Sequence, residues 1–304
     1  MLIAVGIALS IFGLQQSVLW GWGNAGTWAC IIGGLVVIVT FVRVEMRTAV
    51  PLMDVKIFRI RAFFVENVVL LIAMMVFIPV FFFASEYAQI SLHKTASEAG
   101  LFLLYFFIGF AIAAQIGGRI LDREGAKRAV VMGCAIASVG FGLWASKVPH
   151  LTFSNQLAWI IVAGAGMGMM LGPANTDAIN RASRLSYGEA TGITQTVRNF
   201  GASLGLAVLG TILLTVERSR LTTSLRAQHI PHAAQVASQF SQSDGRHSVN
   251  SIPHYVSLDF AYATQTVLYV MCAIMGFAGL VALFALKRGL QKTAPADEAE
   301  VVAG

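Results

Sequence analysis

Four residues could do chemistry that the chain around them cannot: Glu66, Asp177, Gln195 and Arg198 lie in, or at the edge of, long apolar runs. A charge inside a membrane-length run costs at least about 2.5 kcal/mol unless it is paired, hydrated or turned to a cavity. Arg198 could therefore hold an anionic partner or bias a protonatable carboxylate. Equally, its head could snorkel to the nearer end of the run or lock neighbouring helices together, and the residues leave both readings open. Thr191, Gln195, Arg198, Ala202 and Gly205 recur at i, i+4, i+7, i+11 and i+14, one helical face that is polar at one end and small further in. Glu66 is the natural candidate for taking up and releasing a proton. It stands only about one turn into its run, beside Arg59 and Arg61, so a carboxylate snorkelling to the surface is the expectation. Asp177 stands at a run's end and could pair with Arg181.

The densest charge lies in Gly118 to Arg128, where Arg119, Asp122, Arg123, Glu124, Lys127 and Arg128 sit between two apolar runs. That spacing predicts a short, rigid, polyionic hinge. Gly118 and Gly125 permit close approach and positive φ, and Asp122 could cap the following helix or pair with Arg119, Arg123 or Lys127.

The elements that must position these residues are membrane helices. The chain is 57% hydrophobic and 12% charged over 304 residues, too little polar material to surround a soluble core of that size. Runs of about 20 apolar residues, the length a span needs, occur near 2–20, 25–42, 62–85, 97–117, 128–146, 156–176, 189–216 and 263–286. The fold class is thus all-α and polytopic, with about eight spans. The first run has no basic n-region and no small-x-small cleavage site before Trp20, so it reads as a retained helix. A hydrophilic stretch, 217–262, reads as a loop able to hold short amphipathic helices, and the tail from 289 to 304 reads as disordered.

Loop charge chooses the orientation. Of 21 Lys and Arg, fourteen fall in segments on one side of an eight-span chain, six on the other, and Arg198 lies within a span. The richer side is the cytoplasm, with both termini there and the multi-pass chain in the cell's inner membrane. The net charge of +6 is therefore topological, and no nucleic-acid partner is implied. All five tryptophans, Trp20, Trp22, Trp28, Trp144 and Trp159, stand at the opposite ends, as an interfacial belt would. So do the six histidines, whose irregular spacing without a carboxylate cluster favours loop filling over a metal site. Cys30, Cys134 and Cys272 lie in apolar runs and read as small hydrophobes. No Walker A sequence, nucleophile–base pair or ligand set is present, so neither an ATP-driven pump nor an enzyme is expected, and no cofactor.

Gly164, Gly166 and Gly168 have no preceding strand and sit within a span, which points to tight helix contact, with Pro173 allowing bending. Gly201 and Gly205 are at GxxxG spacing. Phe77, Phe81, Phe82, Phe83, Phe102, Phe106, Phe107 and Phe110 could line a drug cavity, although lipid-facing or core phenylalanine is the commoner case.

The pattern Gly118, Asp122, Arg123, Gly125, Lys127, Arg128 resembles the signature loop of major facilitator superfamily transporters. That resemblance implies a cytoplasmic loop between the second and third helices of a six-helix half, whose charges, including Arg119, latch neighbouring helices. Trp20-Gly21-Trp22, then Glu45, Arg47, Pro51, Leu52, Asp54, Phe58, Arg59, Arg61, Ala62, Phe63 and Asn67, is similar to the family's fourteen-span drug:proton antiporter branch. So are Gly164, Gly166, Gly168 and Pro173 followed by Gly188, Gly192, Arg198, Gly201 and Gly205. Mapped this way, residues 1–61 are the branch's two extra helices with a cytoplasmic connector. Residues 62–288 are its C-terminal six-helix half, with an external loop at 217–262. The branch shows a small residue where Glu66 stands, and Gly172-Pro173 lies one helix away from the place of the antiporter signature.

The resemblance implies multidrug efflux of small amphiphilic compounds by alternating access, driven by the proton gradient. A family member needs two six-helix halves around a central cavity, so a partial transporter is expected. The alternative is a membrane interaction protein or split subunit that pairs with a separate N-terminal half, or with copies of itself, and does not transport alone.

Overall fold

The apolar runs become helices because a backbone in hydrocarbon must satisfy its own hydrogen bonds. The computed structural model describes residues 2–47, 57, 60–182, 187–228, 253–287 and 289. They form α1 (Leu2–Trp20), α2 (Ala25–Glu45), α3 (Arg61–Ile90), α4 (Ala96–Glu124), α5 (Ala126–Lys147), α6 (Ser154–Asn180), α7 (Tyr187–Ala227) and α8 (His254–Ala285), and no strand lies among the described residues. Seven of these, α2 to α8, are long and apolar enough to cross a membrane, and α1 is apolar along Leu2–Ser17.

Local chemistry sets several ends. The Asn24 side chain accepts from the Gly26 N–H at the start of α2. Thr95 and Glu98 form a reciprocal capping box at the start of α4. Between α4 and α5 Gly125 alone is non-helical, at φ 87° and ψ 167°, a conformation all but reserved to glycine.

α1 and α2 form an antiparallel pair with Gly6 against Ile38 and Gly13 against Ile31, and the pair leans on α7. The Trp22 indole N–H donates to Thr211 Oγ1 at 2.7 Å and joins the α1–α2 turn to α7. The remaining six helices share one core. α6 lies between α4 and α5, and α3 is covered by α7, α8 and α6. A smaller cluster, with Ile57, Phe63, Ala182, Ala190 and Ile193, ties the start of α3 to the end of α6 and the start of α7.

Outward-facing apolar stripes complete the picture. Leu101, Leu104, Ile108, Ile112 and Ile116 are exposed along α4, as are Phe277, Leu280 and Phe284 along α8. Such continuous apolar surface belongs against lipid or another helical body.

Three sequence expectations change here. The 217–262 stretch is helical at both ends, since α7 runs on to Ala227 and α8 begins at His254. Ser224 Oγ donates to Asp259 Oδ2 at 2.6 Å, and the Arg220 guanidinium lies 4.1 Å from the Tyr262 ring centroid. These pairs give the polar turns a partner, which a sequence reading of each stretch separately cannot supply. Trp144 is no interfacial anchor. It is fully buried, its indole N–H donating to Gln156 Oε1 at 3.1 Å, while Gln156 Nε2 donates to the Tyr87 hydroxyl at 2.7 Å and that hydroxyl to the Val148 carbonyl at 2.9 Å. The network satisfies its polar atoms internally and so can sit in the core. Finally, the predicted hinge is almost wholly helix: Arg119 to Glu124 finish α4 and Ala126 to Arg128 start α5. The connector residues 48–56, 58 and 59 and the tail residues 290–304 lie outside the described residues.

Candidate functional site

Three polar sites lie at the end of the bundle that carries the Gly118–Arg128 segment. The first is that segment. Gly118 sits within α4 with open space where a Cβ would go, so it makes no close approach. Asp122 caps nothing, for α5 starts without a side-chain cap, and among the described residues it makes no ion pair with Arg119, Arg123 or Lys127. Asp122 is exposed in the last turn of α4. Arg128 pairs with Glu124 at 2.7 Å, both well exposed. The tie that reaches another element is Lys127, whose Nζ donates to the Leu286 carbonyl at 2.9 Å. A cation there meets the negative end of the α8 dipole. Beside it, Arg123, Glu124, Lys127, Arg128, Leu283 and Gly289 border a cleft of about 550 Å³.

The second site joins α3 and α6. The Arg181 guanidinium pairs with Asp177 at 2.6 Å, as the sequence suggests, and the Asp177 side chain is only 3% exposed. Glu66 overturns its expectation. It is 1% exposed, lies within hydrogen-bonding reach of the Asp177 carboxyl, and among the described residues none donates an N–H or O–H to either of its oxygens. Phe63, Asn67 and Leu70 are buried around it on α3, and the ends of α6 and α7 close over that face. Depth along its own helix would have let the carboxylate snorkel; neighbours more than a hundred residues away in sequence prevent it.

The third site is the polar face of α7. Arg198 is half-buried, donates from Nη1 to Gln195 Oε1 at 3.3 Å, and leaves its Nε buried with no partner among the described residues. Gln195 in turn donates to Asn199 Oδ1 at 3.1 Å. No carboxylate lies within ion-pair distance of Arg198 among the described residues, so Glu66 and Asp177 are not its partners.

The glycines explain how the helices come close enough to make these sites. A Cβ on Gly164 or Gly168 would run into the carbonyl of Phe106 or Phe110 on α4, and one on Gly201 or Gly205 into the carbonyl of Leu71 or Met75 on α3. Pro173 leaves α6 unbroken as far as Asn180. The phenylalanines divide: Phe83, Phe102 and Phe106 are core, whereas Phe81 and the exposed Phe107 stack at 5.0 Å and continue through Phe77 and Phe110. A groove of about 510 Å³ between the α1–α2 pair and the bundle, missed by the sequence reading, is walled by Ile7, Phe41, Leu71, Ile193 and Phe200, with Glu189 also lining it. No local pattern marks it, because its walls come from four helices.

Comparison with known proteins decides the family. The profile of the Major Facilitator Superfamily matches residues 1–206, which include the Gly118–Arg128 segment, α6 and Arg198. The chain belongs to the major facilitator superfamily. Within it, the cephamycin export protein of Amycolatopsis lactamdurans is 28% identical over 69% of this chain and 44% of its own length. The lincomycin resistance protein of Listeria monocytogenes is 26% identical over 67% of this chain and 43% of its own length. The tetracenomycin C resistance and export protein of Streptomyces glaucescens is 26% identical over 67% and 38% respectively. The chain spans less than half the length of these relatives. Among the described residues, no group of three or more His, Cys, Asp or Glu could hold a metal ion.

Proposed function

We propose that these eight helices are the C-terminal half, with two preceding helices, of a proton-coupled exporter of small amphiphilic compounds in the inner membrane. One observation carries the reading. The region matched by the family profile contains the polyionic segment, the glycine-rich α6 and Arg198, and three relatives matched over 67–69% of the chain are named for export of, or resistance to, cephamycin, lincomycin and tetracenomycin C. Both termini face the cytoplasm, where loop charge concentrates. Alternating access rocks this half against a second one, the Lys127–Leu286 bond acts as the latch that holds α5 to α8, and the proton gradient supplies the drive. An apolar groove of about 510 Å³ with Glu189 in its lining suits a drug-sized amphiphile.

A second reading has the chain act only as a subunit paired with a separate six-helix half, or with copies of itself. The buried, unpartnered Nε of Arg198 favours it, because a carboxylate or carbonyl from another helical body would satisfy that atom.

The test is efflux of a fluorescent lipophilic cation from efflux-deficient cells expressing the chain, with and without an uncoupler. Uncoupler-sensitive efflux that is lost in Arg198→Ala is the expected result for a transporter. No efflux despite confirmed membrane insertion, restored by co-expressing an N-terminal half, selects the second reading.

A further inference from the structure

We propose that Glu66 and Asp177 form a one-proton site, in which two carboxyls on α3 and α6 share a single proton and Arg181 balances the charge that remains. The inference rests on the proton-coupled reading above and names the residues that would hold the proton.

Geometry carries it. Glu66 is 1% exposed and, among the described residues, receives no hydrogen bond at either oxygen, although a buried carboxylate ordinarily accepts several. Its neighbour within hydrogen-bonding reach is another acid, and two carboxylates have no hydrogen between them to share. A proton supplies that hydrogen: one carboxyl then donates O–H to the other, which keeps the Arg181 ion pair at 2.6 Å. The protonated trio is neutral, with one acid O–H, one carboxylate and one guanidinium. Among the described residues, the charged and titratable groups acting on Glu66 are Asp177 and Arg181 from α6, and from α5 the Cys134 thiol interacts with it. Glu189 and Arg198 of α7 are not among them.

A metal ion suits the place poorly. Among the described residues two carboxyls converge, no group of three or more His, Cys, Asp or Glu forms that could hold a metal ion, and a guanidinium already lies against one of the two. A proton needs no further ligands.

Release breaks one O–H bond and passes the proton to water, leaving two carboxylates beside one guanidinium; no electrons move. Like charges then face each other across α3 and α6 in low-dielectric surroundings. The small cluster of Phe63, Ala182, Ala190 and Ile193 that closes this end is the contact such repulsion would loosen. Proton loss thereby opens the end of the bundle that carries the Gly118–Arg128 segment.

The experiment is carbodiimide labelling of the full 304-residue chain in lipid nanodiscs, mapped by mass spectrometry. Dicyclohexylcarbodiimide adds to protonated carboxyls in apolar surroundings. The expected result is an adduct on Glu66 or Asp177 that falls at least about tenfold between about pH 6 and about pH 9. It should be indifferent to replacing choline chloride by sodium chloride. Asp177→Asn should abolish it, because the amide N–H donates to Glu66 and the shared proton is no longer needed; thermal unfolding checks that this variant is folded. Absence of any adduct in the wild-type chain across the range overturns the proposal. So does an adduct suppressed by sodium at constant pH, which would mark a sodium site. Labelling needs no transport, so uncoupler-sensitive efflux without an adduct sinks the pair alone, and an adduct without efflux, even with an N-terminal half co-expressed, sinks only the exporter reading.

Discussion

At the scale of single residues, the outcome at Glu66 shows what a charge in a span depends on. Its position one turn into α3 is visible in the sequence, and from that position a carboxylate can reach water. What decides its state is cover from the end of α6 and the start of α7, through Asp177, Ala182, Ala190 and Ile193. Asp177 and Arg181, four apart on one helix, pair as their spacing allows. Removing the cation leaves Asp177 and Glu66 facing each other in a buried place. Arg181→Ala is therefore expected to lower stability by about 3 kcal/mol, and Asp177→Asn in the same chain to recover most of it. Thermal unfolding in detergent measures both, and an unchanged unfolding temperature in the single variant would contradict the assignment.

At the scale of elements, close packing and the joint between helices carry the structure. In lipid, helices gain from each other mainly by van der Waals contact, so small residues at crossings matter more than hydrophobicity. α6 uses Gly164 and Gly168 to lie against α4, whereas Gly172 on the same helix faces open space. Gly164→Leu or Gly168→Leu should push the helices apart at a cost of about 1–3 kcal/mol or more, and Gly172→Ala should be neutral or slightly stabilising. Expression level and unfolding temperature distinguish the three variants, and equal tolerance at all three sites would show that the α4–α6 contact is not the tight one. The small-residue stripes were legible in the sequence as helix contacts. Their partners were not, because spacing along one helix says nothing about which helix lies opposite. The α4–α5 joint shows the same division: Gly125 was readable as a residue that can take positive φ, yet only the folded structure shows that it alone interrupts the helix and that Lys127 reaches the end of α8.

For the whole molecule, the charge distribution makes a claim about orientation. Asp122, in the last turn of α4 before α5, and His150, in the short turn after α5, are both exposed, and α5 runs between them. In a chain whose native cysteines are replaced, a membrane-impermeant maleimide applied to intact cells should label His150→Cys, and should label Asp122→Cys only after permeabilisation. The reverse pattern would overturn the orientation proposed for both termini.

Composition and the run lengths determined by themselves that this is an all-helical membrane chain, since a continuous apolar run of about 20 residues is the length of a spanning helix, whereas a barrel strand is about 9–11 residues with alternating polarity. The order of glycines and charges from 118 to 128 determined the family resemblance, because that spacing is local and survives in one dimension. Only the tertiary structure decided which polar groups meet. It turned Trp144 inward to Gln156, set Lys127 on Leu286, and closed Glu66 against Asp177 while leaving Arg198 apart. Each of those contacts joins residues from different turns or helices. Burial is a property of neighbours in space, and periodicity along one helix gives its faces without saying what will cover them.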